Sequence, residues 1–208
     1  MIGADDVDTL VFDVLGTVVD EAGSMRAALD RAGAPWRSAD DLNAEALAGI
    51  LAGGPPLPAA TVRHLALAGH RLRAWPDTRE ALRRRAGRFT IVALSNGNLS
   101  MLTDLFAAAG LTGHCVLSGE LVHAYKPDPA VYRLAVERLA LDPPRTLMVA
   151  AHSRDLRAAA AQGLRTAYIQ RAGEAEPDPP DAFDLTAPTW RPSPRGCLPG
   201  RDDRNPGF

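Results

Sequence analysis

Three apolar runs punctuate the chain: "VDTLVF" at 7–12, "FTIVALS" at 89–95 and "TLMVAA" at 146–151. Each is short, carries β-branched residues and is flanked by polar or glycine-containing segments, a pattern that predicts a strand buried on both faces. Two shorter runs, "HCVLS" (114–118) and "RTAYIQ" (165–170), predict further strands. Between these runs the period changes from two to that of an amphipathic helix in "TREALRRRAG", "LSMLTDLFAAAG" and "DPAVYRLAVERLAL". Regular alternation of strand and helix predicts an α/β fold: a Rossmann-like parallel sheet with helices on both faces.

The alternation is interrupted once. Residues 19–75 hold no strand pattern, only the helical stretches "SMRAALDRAG", "LNAEALAGILAGG" and "AATVRHLALAGHRLRAW", broken by "APWRSADD" and "GGPPLP". They predict a short α-helical cap inserted after the first strand, with the core built from residues 1–18 and 76–189. Ligands of open parallel sheets bind outside the carboxyl ends of the strands, so an insertion leaving from that end would lie over the site as a lid. Residues 190–208 carry Pro192, Pro194, Pro199 and Pro206 without an apolar period, and are expected to form a disordered or loosely draped tail.

Composition narrows the class rather than the fold. A net charge of -2 leaves no basic footprint for nucleic acid or an anionic membrane. Cys115 and Cys197 are distant and form no CxxC pair, so neither a disulfide framework nor a zinc knuckle is indicated, and a cytoplasmic setting is expected. The N-terminal "MIGADDVDT" lacks the basic-then-apolar order of a signal peptide, and no apolar run is long enough to span a bilayer. His64, His70, His114 and His123 are not spaced as a metal-ligand set.

Chemistry enters at the strand ends. Asp13 follows "TLVF", Ser95 and Asn96 follow "TIVAL", Lys126 follows "ELVHAY", and Asp155 follows "TLMVAAHSR". Singly, each could be a helix cap or a solvated side chain. Together they would be gathered into one crevice by a Rossmann-like topology.

From "FDVLGT" through "LSNGN", "YKPDPAVY" and "VAAHSRDLRAAAAQGLRT", the sequence resembles the haloacid dehalogenase superfamily, and within it the type II (S)-2-haloacid dehalogenases. The resemblance implies that Asp13 is a nucleophile and that Thr17 holds its carboxylate. It implies that Ser95 and Asn96 bind the substrate's carboxylate, that Lys126 is the cation beside the nucleophile, and that Tyr132 steadies that lysine or the substrate. Asp155 would orient Lys126 and position the hydrolytic water. A homodimer is also implied. A carboxylate is a weak nucleophile in water, and a desolvated one beside a cation stays ionised and reactive, so the residue types suit the roles.

Leu15 discriminates between chemistries. Phosphatases of the superfamily carry a second aspartate two residues after the nucleophile, because a departing alkoxide wants a proton. Leucine cannot donate one, and a halide does not need one. Type II dehalogenases, as the resemblance has it, carry Tyr there. Their usual Ser-Ser-Asn-x-Trp-Asp also departs here to "AAHSRD". His152 could donate to the intermediate's carbonyl oxygen or be an uninvolved loop residue, and Arg154 could bind a carboxylate or face solvent. The family's halide-receiving arginine is sought at Arg37 in "PWRSADD", with Arg26, Arg63, Arg71 and Arg73 as alternatives.

The expected activity is hydrolytic dehalogenation of short (S)-2-haloalkanoic acids through an aspartyl ester, with no metal or other cofactor and a small haloacid as substrate. The alternatives are a Mg²⁺-dependent phosphatase and a cap-truncated relative with little activity that acts as a binding module.

Overall fold

A computed structural model describes residues 2–18 and 36–188. Strand β1 (Thr9–Phe12) lies at the centre of a six-stranded sheet of order β3-β2-β1-β4-β5-β6, completed by β2 (Thr90–Ser95), β3 (Cys115–Ser118), β4 (Thr146–Ala150), β5 (Arg165–Ile169) and β6 (Leu185–Ala187). Every pairing is parallel. Five of these strands match the predicted runs. The three-residue "LTA" of β6 is too short to register as a pattern and is defined only by its pairing with β5.

Side-chain alternation along each strand explains why the runs are continuously apolar. Leu10 and Phe12 of β1 join Ile91, Ala93, Leu147 and Val149 on one face, against Leu82 and the helical residues Met101, Leu102 and Leu105. Val11 joins Val92, Leu94, Met148 and Ala150 on the other face, against Val131, Tyr132, Ala135, Leu156 and Ala159. Both faces are therefore covered, and no position of β1 reaches solvent. Full burial of each large aliphatic side chain contributes roughly 1.5–3 kcal/mol.

The covering helices are α3 (Thr78–Ala86) and α4 (Leu99–Ala109) on the first face, and α5 (Pro129–Arg138) and α6 (Ser153–Ala160) on the second. Proline at the first position of α5, with Asp128 accepting from the Ala130 amide at 2.8 Å, fixes where that helix begins. Between β1 and α3 lie α1 (Ala39–Leu51) and α2 (Ala59–Ala66), followed by a 3-10 turn over Ala68–Arg71. Neither α1 nor α2 buries a residue. The helical stretch "SMRAALDRAG", Arg26 and the tail from Trp190 lie outside the described residues. Among the described residues, no helix is long and apolar enough to cross a membrane.

One cluster ties the inserted helices to the core. His70, buried in the 3-10 turn, has Nδ1 2.7 Å from Asp104 Oδ2 on α4 and Nε2 3.1 Å from both carboxylate oxygens of Asp40 on α1. Asn98, at the start of α4, donates to Asp40 Oδ2 at 2.5 Å. Burial alone would lower the His70 pKa, but the hydrogen bonds and charges of Asp104 and Asp40 outweigh it and raise it above the ordinary imidazole value.

Candidate active site

Parallel register aligns the carboxyl ends of β1, β2 and β4, because Phe12 lies opposite both Ala93 and Val149. Asp13 emerges from this central point, with its amide donating to Val149 O at 3.0 Å. The chain then turns through Gly16, whose φ of 78° is readily adopted by a residue without a Cβ. That turn returns Thr17 to the carboxylate, and its hydroxyl donates to Asp13 Oδ2 at 2.8 Å. The same hydroxyl accepts from the Ala151 amide at 2.8 Å, so Thr17 is fixed from β4 and its proton is directed at Asp13.

Lys126 bridges two acids. Its ammonium lies 3.1 Å from Asp13 Oδ1 and 2.9 Å from Asp155 Oδ2, with its side chain only 5% exposed. Burial would lower its pKa, but the charges of Asp13 and Asp155 overcome this and raise it, keeping the cation charged. Burial raises the pKa of Asp155, with Lys126 opposing the shift. Tyr132 donates to Asp155 Oδ1 at 2.5 Å, and its phenol is pushed far above its ordinary pKa, chiefly by burial and then by Asp155. It is fully buried, and its hydroxyl is held by Asp155.

Asn96 acts on the backbone of the lysine. Its Oδ1 accepts from Lys126 N at 2.7 Å and its Nδ2 donates to Lys126 O at 3.4 Å. Ser95 is buried and accepts from the Gly97 amide at 3.2 Å, shaping the turn after β2. The sequence-based roles of both residues as substrate ligands therefore gain a structural component: in this geometry they build the loop that presents Lys126. Leu15 is partly buried against the first-face core.

His152 belongs to the site. Its Nδ1 is 2.9 Å from Asp13 Oδ2, and its Nε2 is 2.8 Å from Oε2 of Glu174. Glu174 escapes sequence reasoning because it follows β5 in a polar segment, "RAGEAEPDPP", with no pattern of its own. Its amide donates to Arg171 O at 3.2 Å across a turn in which Gly173 has φ 86°, and this turn directs the carboxylate inward.

Arg171 and Trp75 were also not legible. Arg171 is 6% exposed, donates to Thr17 O at 3.0 Å, and pairs with Asp77 at 2.9 Å. Its guanidinium lies over the Trp75 ring, 5.3 Å from the centroid, and Trp75 Nε1 donates to Gly16 O at 3.2 Å. These two residues hold the backbone of the turn after Asp13 through its carbonyls.

Arg37 is not brought to Asp13 by any described interaction. Its guanidinium pairs with Glu45 of α1 on an exposed surface, while its carbonyl accepts from Tyr125 OH at 2.5 Å. Adjacent Trp36 stacks on His123 at 4.9 Å, so this segment is docked beside the loop that leads to Lys126. Of the alternatives, Arg71 donates to the carbonyls of His64 and Leu67.

The sequence profile of the haloacid dehalogenase-like hydrolases matches residues 7–163. An (S)-2-haloacid dehalogenase from Pseudomonas sp. (strain CBS-3) is 37% identical over 113 residues, which are 51% of this chain and 48% of that protein. Another, (S)-2-haloacid dehalogenase 4A from Burkholderia cepacia, is 34% identical over 105 residues, 49% of this chain and 46% of that protein. The matched part spans about half the length of these relatives. In three dimensions the crystal structure of the L-2-haloacid dehalogenase PA0810 superposes with TM-score 0.79 at 32% identity, covering 88% of this chain and 95% of that one. A defluorinating L-2-haloacid dehalogenase superposes with TM-score 0.78 at 30% identity, covering 88% and 92%.

Proposed function

Because the chain belongs to the haloacid dehalogenase-like hydrolases, we propose that it hydrolyses short (S)-2-haloalkanoic acids to (R)-2-hydroxy acids through an ester on Asp13. The observation that carries this reading is the environment of Asp13: a buried carboxylate set against Lys126 and Thr17, with Leu15 where an acid-assisted phosphatase needs a proton donor. The named activities of the two relatives and two structural neighbours reported above support it.

In the first step Oδ1 of Asp13, the oxygen beside Lys126, attacks C2 of the substrate. The C2–halogen bond breaks and its electron pair leaves with the halide. Backside displacement inverts C2 once. Water then attacks Cγ of the ester rather than C2, so the inverted configuration is retained in the product. Lys126 keeps Asp13 ionised beforehand and offsets the charge of the incoming carboxylate. Asp155, whose pKa burial raises, takes the proton of the attacking water and is oriented by Tyr132.

We also read the chemistry as metal-independent. The Lys126 ammonium lies between Asp13 and Asp155, at 3.1 and 2.9 Å, and supplies positive charge to both carboxylates from the chain itself. Displacement at carbon needs no ion to neutralise a phosphoryl group. Residues 19–75 would serve as the cap over the site, with α1 and α2 as its described helices.

The test is release of chloride or bromide from (S)-2-chloropropionate and bromoacetate, with and without EDTA. The reading expects turnover unaffected by EDTA and abolished by Asp13→Asn. Mg²⁺-dependent hydrolysis of an aryl phosphate without halide release would replace it with the phosphatase. Absence of both activities at high enzyme concentration would favour a binding module.

A further inference from the structure

We propose that Glu174 and His152 form a charged dyad that stabilises the oxyanion in the hydrolytic half of the reaction, with Glu174 keeping His152 doubly protonated. This rests on the ester chemistry proposed above.

The argument begins with donors and acceptors. His152 is 9% exposed and lies between two carboxylates, Asp13 on Nδ1 and Glu174 on Nε2, at 2.9 and 2.8 Å. A neutral imidazole has one N–H and one lone pair, so it can donate to only one of them. The imidazolium donates to both, and charge-assisted hydrogen bonds of this kind are roughly twice as strong as neutral ones. Among the described residues, His152 meets Asp13 at the end of β1 and Glu174 beyond β5, and Asp13 in turn meets Lys126, before α5, which also meets Asp155 in α6.

The nucleophile turn is shaped around this dyad. A Cβ at Gly16 would lie 2.5 Å from Glu174 Oε1 and 2.8 Å from His152 Cε1. Only a glycine lets the turn carrying Thr17 and the His152–Glu174 pair approach Asp13 together.

The dyad acts after alkylation. When Asp13 becomes an ester its negative charge is lost, and His152 keeps one anionic partner, Glu174. Water oxygen then bonds to Asp13 Cγ, and the Cγ–Oδ2 π pair moves onto Oδ2. That oxygen receives Thr17 Oγ1–H and His152 Nδ1–H. Collapse re-forms Cγ=Oδ2 and breaks Cγ–Oδ1. The first water proton passes through Asp155 to the departing alkoxide, and the second reaches solvent as Asp13 re-ionises. His152 remains protonated throughout; it is an electrostatic catalyst, and Glu174 a positioning residue acting through it.

Two measurements test the dyad. Histidine-labelled protein, with the His152 signal assigned through His152→Asn, is titrated by NMR: the ring is expected to be doubly protonated at about pH 7 in the native chain and to lose its proton at lower pH in Glu174→Gln. A neutral His152 ring at pH 7 in the native chain overturns the inference whatever the turnover. With bromoacetate, Glu174→Gln is expected to release one bromide per site in a burst, accumulate an ester on Asp13 visible by peptide mass, and then turn over at least about tenfold more slowly. Glu174→Asp, which keeps the charge, should recover part of that loss. Native turnover rates without ester build-up in a folded Glu174→Gln would equally overturn the inference. Native protein that forms neither ester nor halide would defeat the haloacid reading, while the NMR result still decides the charge on His152.

Discussion

Asn96 clasps the backbone of Lys126 on both sides of its Cα, accepting from its N–H at 2.7 Å and donating to its C=O at 3.4 Å. The end of β2 thereby sets the position of a lysine that reaches the end of β1. Since a misplacement of about 1 Å near reacting groups can cost a hundredfold in rate, Asn96→Ala is expected to lower kcat for halide release about ten- to a hundredfold with a smaller change in KM. A rise in KM with kcat unchanged would assign Asn96 to substrate binding alone.

Removing the lysine charge should be more severe. Lys126→Met leaves Asp13 and Asp155 buried without their shared cation, an arrangement expected to cost about 3–5 kcal/mol in denaturant unfolding and to abolish turnover. Asp155, whose pKa burial raises and Lys126 lowers, would then have a folded-state pKa further above its unfolded value. It would bind its proton more tightly in the folded chain, so the variant should be most stable at acidic pH and lose stability as pH rises through the elevated value.

Tyr132→Phe deletes the hydroxyl that donates to Asp155 at 2.5 Å. That hydrogen bond lowers the Asp155 pKa against the larger effect of burial, so its loss should raise the pKa further. A base must be ionised to accept a proton, and the acid limb of the kcat profile should therefore move to higher pH. Stability should fall by about 1–3 kcal/mol. An unmoved limb would separate Asp155 from the rate-determining proton transfer.

His70 gives the inserted helices a pH dependence. Its raised pKa means that the contribution of its pairing with Asp40 and Asp104 is fully present below the ordinary imidazole value near 6.5 and is lost as pH rises through the higher folded value. Amide exchange in α1 should accelerate across that window, and His70→Gln should remove the dependence while lowering stability by about 1–3 kcal/mol. Exchange in α1 that does not change with pH beyond the intrinsic rate would exclude the clamp.

Gly16→Ala joins two penalties. A φ of 78° costs a residue with a Cβ roughly 1–2 kcal/mol, and the methyl would displace Glu174 and His152. A lower melting temperature and reduced kcat are expected, and double substitution with Glu174→Gln should be less than additive in kcat.

What the sequence determined was largely local and periodic. Doubly buried strands need apolar side chains on both faces, so the runs at 9–12, 90–95 and 146–150 could be read directly. The polar residues ending or following the principal strands then pointed to a crevice, and the quoted motifs to the family and to a residue set of Asp13, Thr17, Lys126 and Asp155. Leu15, two residues after Asp13, could be weighed because the resemblance implies which residue types stand at that position.

Tertiary structure decided what no spacing encodes. Glu174 and Arg171 reach the Asp13 turn from beyond β5 and Trp75 from the end of the insertion, and hydrogen bonds between residues as distant as Thr17 and Arg171 leave no local pattern. Arg37, singled out for its Trp-Arg context, has a partner that context does not encode: its side chain pairs with Glu45 of α1. For His152, the sequence left two roles open. The fold buries its ring between the carboxylates of Asp13 and Glu174, a placement no spacing encodes, and a desolvated imidazole must satisfy both ring nitrogens while an exposed one can leave that to water.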